Sequence, residues 1–258
     1  MTTAFAPTGR IVEAAARVYR RTWRGSVLST FLSPVLFLLA MGVGLGKLVD
    51  AGGTDLGVDY LAFLAPGLLA STAMTTAAGD SSFPVMAGIK WRRNYEATLA
   101  TPIRVEDLVA GHFGWVAIRL AFVSLVYAGV MTAFGATTVV QGLLAVPPAL
   151  LLGVAVSTVV TAYTARLKSE TGLSSLFRWG ITPLFLFSGT FFPISQLPGW
   201  LQPVAYATPL FHGVELCRRI ALDLPSHVNP WFSIGYLVAM TFIGWVLAVR
   251  FMRARLVK

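Results

Sequence analysis

Charge is what this sequence has least of. Only 12% of its 258 residues are Asp, Glu, Lys or Arg, while 56% are hydrophobic and the mean hydropathy is +0.72. Soluble domains carry about 25% charged residues, so the composition excludes a soluble globular domain and defines an integral membrane protein. Acids are scarcer than bases, 11 against 20, and no apolar run holds one at its centre. A proton- or sodium-coupled carrier ordinarily buries an acid within its spans, so energy for any transport must come from elsewhere. The single cysteine, Cys217, excludes an internal disulfide and a multi-thiolate metal site. No Ser/His/Asp grouping and no paired acids at catalytic spacing occur, and His212 with Glu215 is too thin a set for a metal. The net charge of +9 sits in short clusters at the ends of apolar runs. That is the placement of cytoplasmic loops, and nucleic-acid binding would need a basic stripe across a domain. No signal peptide is expected, because the first apolar run starts near Gly25 and is too long for an h-region.

What is present is a series of apolar runs long enough to cross a bilayer core of about 30 Å. The expected fold is all-α and integral to the membrane, a single domain over 1–258. Six transmembrane helices are placed at 26–46, 60–80, 109–134, 142–165, 177–192 and 229–250. An amphipathic helix at 8–24 precedes them. It gathers Arg17, Arg20, Arg21 and Arg24 on one arc and Trp23, Tyr19 and Val18 on the other. Such a helix lies in the membrane interface plane, as an anchor or as a collar that also touches a cytosolic partner. GVGLGK at 42–47 looks like a phosphate loop, but the required spacing fails and the run follows an apolar helix. Its glycines suit close helix packing instead.

Two segments break the pattern. The first is KWRRNYEATLATP, from Lys90 to Pro102, polar and lying between two apolar runs. Trp91, Tyr95 and Leu99 recur at i, i+4 and i+8, predicting a short helix over 90–101 that Pro102 ends. It is either offered to a partner or lies on the headgroups. The second is the uncharged stretch 179–214, which Pro183, Pro193, Pro198, Pro203 and Pro209 prevent from forming one helix. Its expected form is a fifth span followed by a re-entrant helical hairpin, 193–222, in the outer leaflet, packed on the bundle. Glu215 and Arg219, spaced i, i+4, can pair on its second piece.

Arg119 lies inside the third span, where a structural pairing is expected. Pro147 and Pro148 must kink or delay the fourth span. With this layout 16 of the 20 Lys/Arg fall on one side, which places both termini in the cytoplasm. The short acidic loop 47–59 then lies outside.

Two stretches carry a resemblance. RRNYEATLATPIRVEDLVAG is similar to the R-x-x-G-T-L-E-x-L-L-x-T-P block that follows the second span of ABC-2 type export permeases. FFPISQLPGWLQPVAYATPLFHGVELCR resembles their signature hairpin between spans five and six. The chain therefore resembles the permease subunit of ABC-2 type exporters, in the branch of the nodulation-factor and daunorubicin-type permeases. The resemblance implies a bacterial inner-membrane complex of two permeases, a homodimer or a pair of related permeases, with two ABC ATP-binding subunits. No cofactor is bound by this chain; ATP and Mg act through the partner ATPase, and the chain is a transport subunit and not an enzyme. The 90–101 segment becomes a coupling helix. On it Lys90, Arg92, Arg93 and Glu96 make polar contacts to the ATPase, while Trp91, Tyr95 and Leu99, with Thr98 beside them, seat it. The hairpin residues Phe191, Phe192, Pro193, Leu197, Pro198, Pro209, Glu215 and Arg219 form an outer gate. The family exports amphipathic cargo such as glycolipids, lipo-oligosaccharides and hydrophobic drugs, and membrane lipids surround it. A polytopic lipid-modifying enzyme and a membrane anchor for an ATPase are the competing readings.

Overall fold

The computed structural model describes the backbone of residues 5–51, 58–223 and 228–257, and their side chains except at 5, 6, 22–30, 33, 47, 50 and 51. The side chains of Trp23, Arg24, Lys47 and Asp50, with Asp55 and Lys258, thus lie outside the described residues. Among the described residues the structure is helical, without strands. Four helical segments are long and apolar enough to cross a membrane: Tyr60–Trp91, Val105–Ala133, Val139–Arg166 and Pro230–Leu256.

The first helix, α1 (Phe5–Phe37), runs without interruption into a π-helical stretch (Leu38–Leu45) and then α2 (Gly46–Ala51). The expected division between an interface helix and a separate first span is absent from the backbone. The apolar side of its first turns is also not left to lipid alone. It packs on α6 (Val105–Ala133), where glycines open a groove: a Cβ at Gly111 would sit 2.6 Å from Ile11. Tyr19 meets Trp115 edge-on at 5.6 Å. Arg17, Arg20 and Arg21 remain exposed, and Arg17 donates to Glu13 at 2.5 Å.

α3 (Tyr60–Ser81) is buried along most of its length in small side chains, Ala65, Ala70, Ala73 and Ala77 among them. Small residues let backbones approach, and in lipid this packing substitutes for the hydrophobic drive available in water. After Ser82 the chain continues through α4 (Phe83–Met86), a π turn (Ala87–Trp91) and α5 (Asn94–Leu99) to α6. α7 (Val139–Leu144) is opened by a capping box: Thr138 Oγ accepts from Gln141 N at 3.3 Å, and Gln141 Oε1 accepts from Thr138 N at 3.2 Å. α8 (Val146–Arg166) restarts one residue later with its prolines in the first turn, where no N–H is needed.

α9 (Thr171–Leu176), a π turn (Phe177–Ile181) and α10 (Thr182–Phe187) follow. The fifth expected span thus loses its helix at Phe187, short of 192, because the chain turns at Gly189 with φ +82°. A 3-10 turn (Ile194–Gln196), α11 (Gln202–Tyr206) and α12 (Pro209–Leu222) precede the last helix, α13 (Pro230–Leu256). The principal core joins α3, α6, α8 and α12 through Leu64, Leu68, Leu120, Leu152 and Val214.

Inside this core the intramembrane arginine has its partner: Arg119 pairs with Asp80, and its guanidinium stands 5.6 Å from the Tyr19 ring. The pair joins α3 to α6. Asp80 is buried and Arg119 half-buried, so removing Arg119 leaves a buried carboxylate without its counter-ion, at a cost of about 3 kcal/mol. Arg119→Met should therefore lower thermal stability in detergent further than the double variant Asp80→Asn/Arg119→Met. Equal or greater loss in the double variant would show that the pair does not hold these helices.

Candidate functional site

Lys90 to Leu99 sit at the end of the bundle where the arginines gather. The expected Trp91, Tyr95, Leu99 stripe is divided there. Arg93 adopts a left-handed conformation, φ 48°, so the π turn ending at Trp91 and α5 starting at Asn94 are not one helix. A left-handed residue interrupts the i to i+4 ladder and turns the side chains on either side of it apart. Tyr95 and Leu99 face inward, onto a core made by Val85, Ile89, Val109, Phe113 and Met252. The Tyr95 ring lies so close to Gly88 that a Cβ there would be 2.6 Å from its Cζ. Burial pushes the Tyr95 phenol up to about 12, so it serves as a neutral, rigid anchor. Trp91 stands away from this core and is 50% exposed.

The opposite side of the segment is polar and open. Lys90, Arg92, Arg93 and Glu96 are all exposed, while Thr98 is half-buried and donates to Asn94 O at 2.8 Å. Lys90 Nζ lies 3.6 Å from Glu170, which ties the π turn to the segment before α9. Glu106 pairs with Arg253, and Arg255 donates to Ala165 O at 2.8 Å and to Leu167 O. These contacts gather the chain's polar turns on one platform, from which the 90–96 charges project.

At the other end, α12 is inserted among the helices. Every side chain from Leu210 to Arg218 is buried. Arg218, absent from the expected gate, is the residue that holds this region. Its Nη2 donates to Gly189 O at 3.0 Å, its Nε to Phe63 O at 3.3 Å, and its Cζ lies 3.7 Å from the Phe63 ring centroid. Glu215 Oε1 stands 3.9 Å from its Nη1. The backbone at 188–190 has left helical geometry, and in lipid its carbonyls need donors from the protein. Ser71 Oγ and Thr190 Oγ1, 2.8 Å apart, add a second tie. The helical face shared by Phe211, Val214, Arg218 and Ala221 could have signalled this burial, whereas Arg219 on the next face is exposed.

The remaining expected gate residues separate into three places. Phe191, Phe192 and Pro193 line an apolar cavity of about 680 Å³ together with Phe37, Met41 and Tyr60. Leu197 joins Ile194, Ala205 and Phe211 in a small core of its own. Pro198 is exposed in the turn beyond, and Pro209 occupies the first turn of α12 behind the Thr208 cap. His212 is buried, its Nδ1 3.0 Å from Ser233 Oγ. Among the described residues no three His, Cys, Asp or Glu side chains converge on a metal position.

The architecture is thus a polytopic all-α membrane protein with a charged platform at one end and the buried helix α12 at the other. The family described as ABC-2 type transporter matches residues 10–222, and the chain belongs to that family. Nodulation protein J of Rhizobium meliloti (strain 1021) is 31% identical over 238 residues, covering 92% of this chain and 89% of that protein. Nodulation protein J of Rhizobium leguminosarum bv. trifolii is 32% identical over 248 residues, covering 93% of each. The inner membrane transport permease YadH of Escherichia coli (strain K12) is 24% identical over 238 residues, covering 90% of each.

The seating of Tyr95 over Gly88 yields a direct test. Gly88→Val should displace the ring and loosen α5, because overfilling a close contact costs about 1–3 kcal/mol. Tryptic cleavage at Arg92 and Arg93 in the purified protein should accelerate about fivefold, as local opening becomes easier. An unchanged cleavage rate would mean that Tyr95 does not anchor the segment.

Proposed function

We propose that this chain is the permease subunit of an ATP-driven exporter, and that Lys90–Leu99 is where it meets its ATPase. One observation carries the reading: the segment is held from below by Tyr95 and Leu99 and presents Lys90, Arg92, Arg93 and Glu96 outward. A charged surface on a buried anchor can pass a push from a soluble partner into the bundle. Through Lys90 and Glu170 the push would reach the segment before α9, and through the turn at Ser82 it would reach α3. The family membership supports hydrolysis in a separate subunit that binds ATP and Mg.

In this reading the chain crosses the bacterial inner membrane six times, with both termini in the cytoplasm. The first span includes the apolar helix Pro34–Leu45 and the fifth includes α10. Two copies pair with two ATPase subunits. The hairpin from 193 to 222 closes the far end, and the aromatic cavity beside Phe191 and Phe192 borders the exit route. The cargo is amphipathic, of the glycolipid, lipo-oligosaccharide or hydrophobic-drug class. Resemblance to nodulation protein J over nearly the whole chain favours the carbohydrate-bearing members of that class.

Co-purification tests the coupling surface. The tagged chain should retain its ATPase, and Arg92→Ala/Arg93→Ala/Glu96→Ala should lower retention about tenfold or uncouple ATP hydrolysis from substrate. Wild-type retention together with wild-type coupling in the triple variant would remove this segment from the role.

A further inference from the structure

The side of α13 turned away from the bundle is apolar for most of its length, with Trp231, Phe232, Val238, Phe242, Ile243 and Val246 exposed. On a spanning helix such a face meets lipid tails. It ends at Arg250 and Arg253, where a cleft of about 650 Å³ opens between α13 and the start of α6. Trp245, Val246 and Val249 form its wall, and Arg250, Arg253 and Glu106 its rim. The Trp245 ring is held in place by Phe113, 5.4 Å away.

The rim charges are unequal. Arg253 is paired with Glu106. Arg250 is exposed and has neither an ion pair nor a hydrogen bond among the described residues. The rim therefore carries two arginines against one carboxylate, directly above an apolar wall. A guanidinium fork fits phosphate oxygens and keeps its charge at any physiological pH. Tryptophan at the end of a spanning helix marks headgroup depth.

We propose that this cleft binds one anionic phospholipid of the adjoining leaflet, with its phosphate on Arg250 and an acyl chain along Val249, Val246 and Phe242. Those three residues share one helical face, so the chain follows α13 into the bilayer. A soluble protein is the poorer fit, since the apolar wall continues into the lipid-facing side of the helix, where such a partner cannot reach. The inference rests on the membrane-embedded fold and not on the coupling role of Lys90–Leu99.

Native mass spectrometry of the full chain, released from detergent after incubation with equimolar phosphatidylglycerol and phosphatidylcholine, tests it. One phosphatidylglycerol per chain should be retained in preference to phosphatidylcholine, and high salt during incubation should erode the preference. Arg250→Gln should cut that retention about fivefold, equivalent to about 1 kcal/mol for one arginine at an anionic surface. Arg250→Lys should keep most of it, and Arg178→Gln, an exposed arginine elsewhere at the same end, should change nothing. Equal retention of the two lipids by the wild type overturns the proposal. So does unchanged retention in Arg250→Gln, or a Gln variant that keeps its lipid but loses its ATPase, which would make the cleft a protein contact.

Discussion

Lipid offers no hydrogen bonds, and that constraint decides how this chain can be broken. At 188–190, just after α10, the chain leaves regular helix with Gly189 at φ +82°, so the carbonyls freed there need donors from side chains. Arg218 supplies them at Gly189 and also reaches Phe63 on α3, while Ser71 reaches Thr190. These ties hold the segment before α12 against α3. With them α12 becomes part of the core, buried from Leu210 to Arg218.

The same rule explains the middle of the bundle. Asp80 ends the long buried helix α3 beside Arg119 of α6, and each charge makes the other tolerable in its position. Close packing by alanine and glycine brings the helices near enough for these polar pairs to form. Small residues and buried charges are thus two parts of one solution. Small residues set the distance, and polar pairs set the register at which the helices stop.

Toward the arginine-bearing end the constraint relaxes, and the structure changes character. Helices become short, a π turn and a left-handed arginine interrupt the chain, and charges face outward. The proposed coupling role would draw on this combination of a fixed base and a free surface. Tyr95 against Gly88 provides the base, and the left-handed Arg93 lets the following residues turn independently of α4. The aromatic cavity at the far end differs in kind, mostly apolar in its lining, with Gln196 and Tyr60 among the residues around it.

Much of this was legible along the chain because hydropathy, proline and charge act locally. The scarcity of charge made it a membrane protein, and the apolar runs placed its long helices. The prolines marked where helix would fail, and Lys90–Pro102 stood out as a polar segment between spans. The motifs at 92–111 and 191–218 carried the family. What the tertiary structure decided was direction and partnership. Asp80 and Arg119 are 39 positions apart, and Arg218 finds Phe63 across 155, separations that no local pattern specifies. Trp91 parts from Tyr95 because one backbone angle at Arg93 overrides helical spacing. α1 spends its apolar turns on α6 because glycines on a distant helix made room. Which face of a helix meets protein and which meets lipid depends on its rotation, and packing against neighbours sets that rotation.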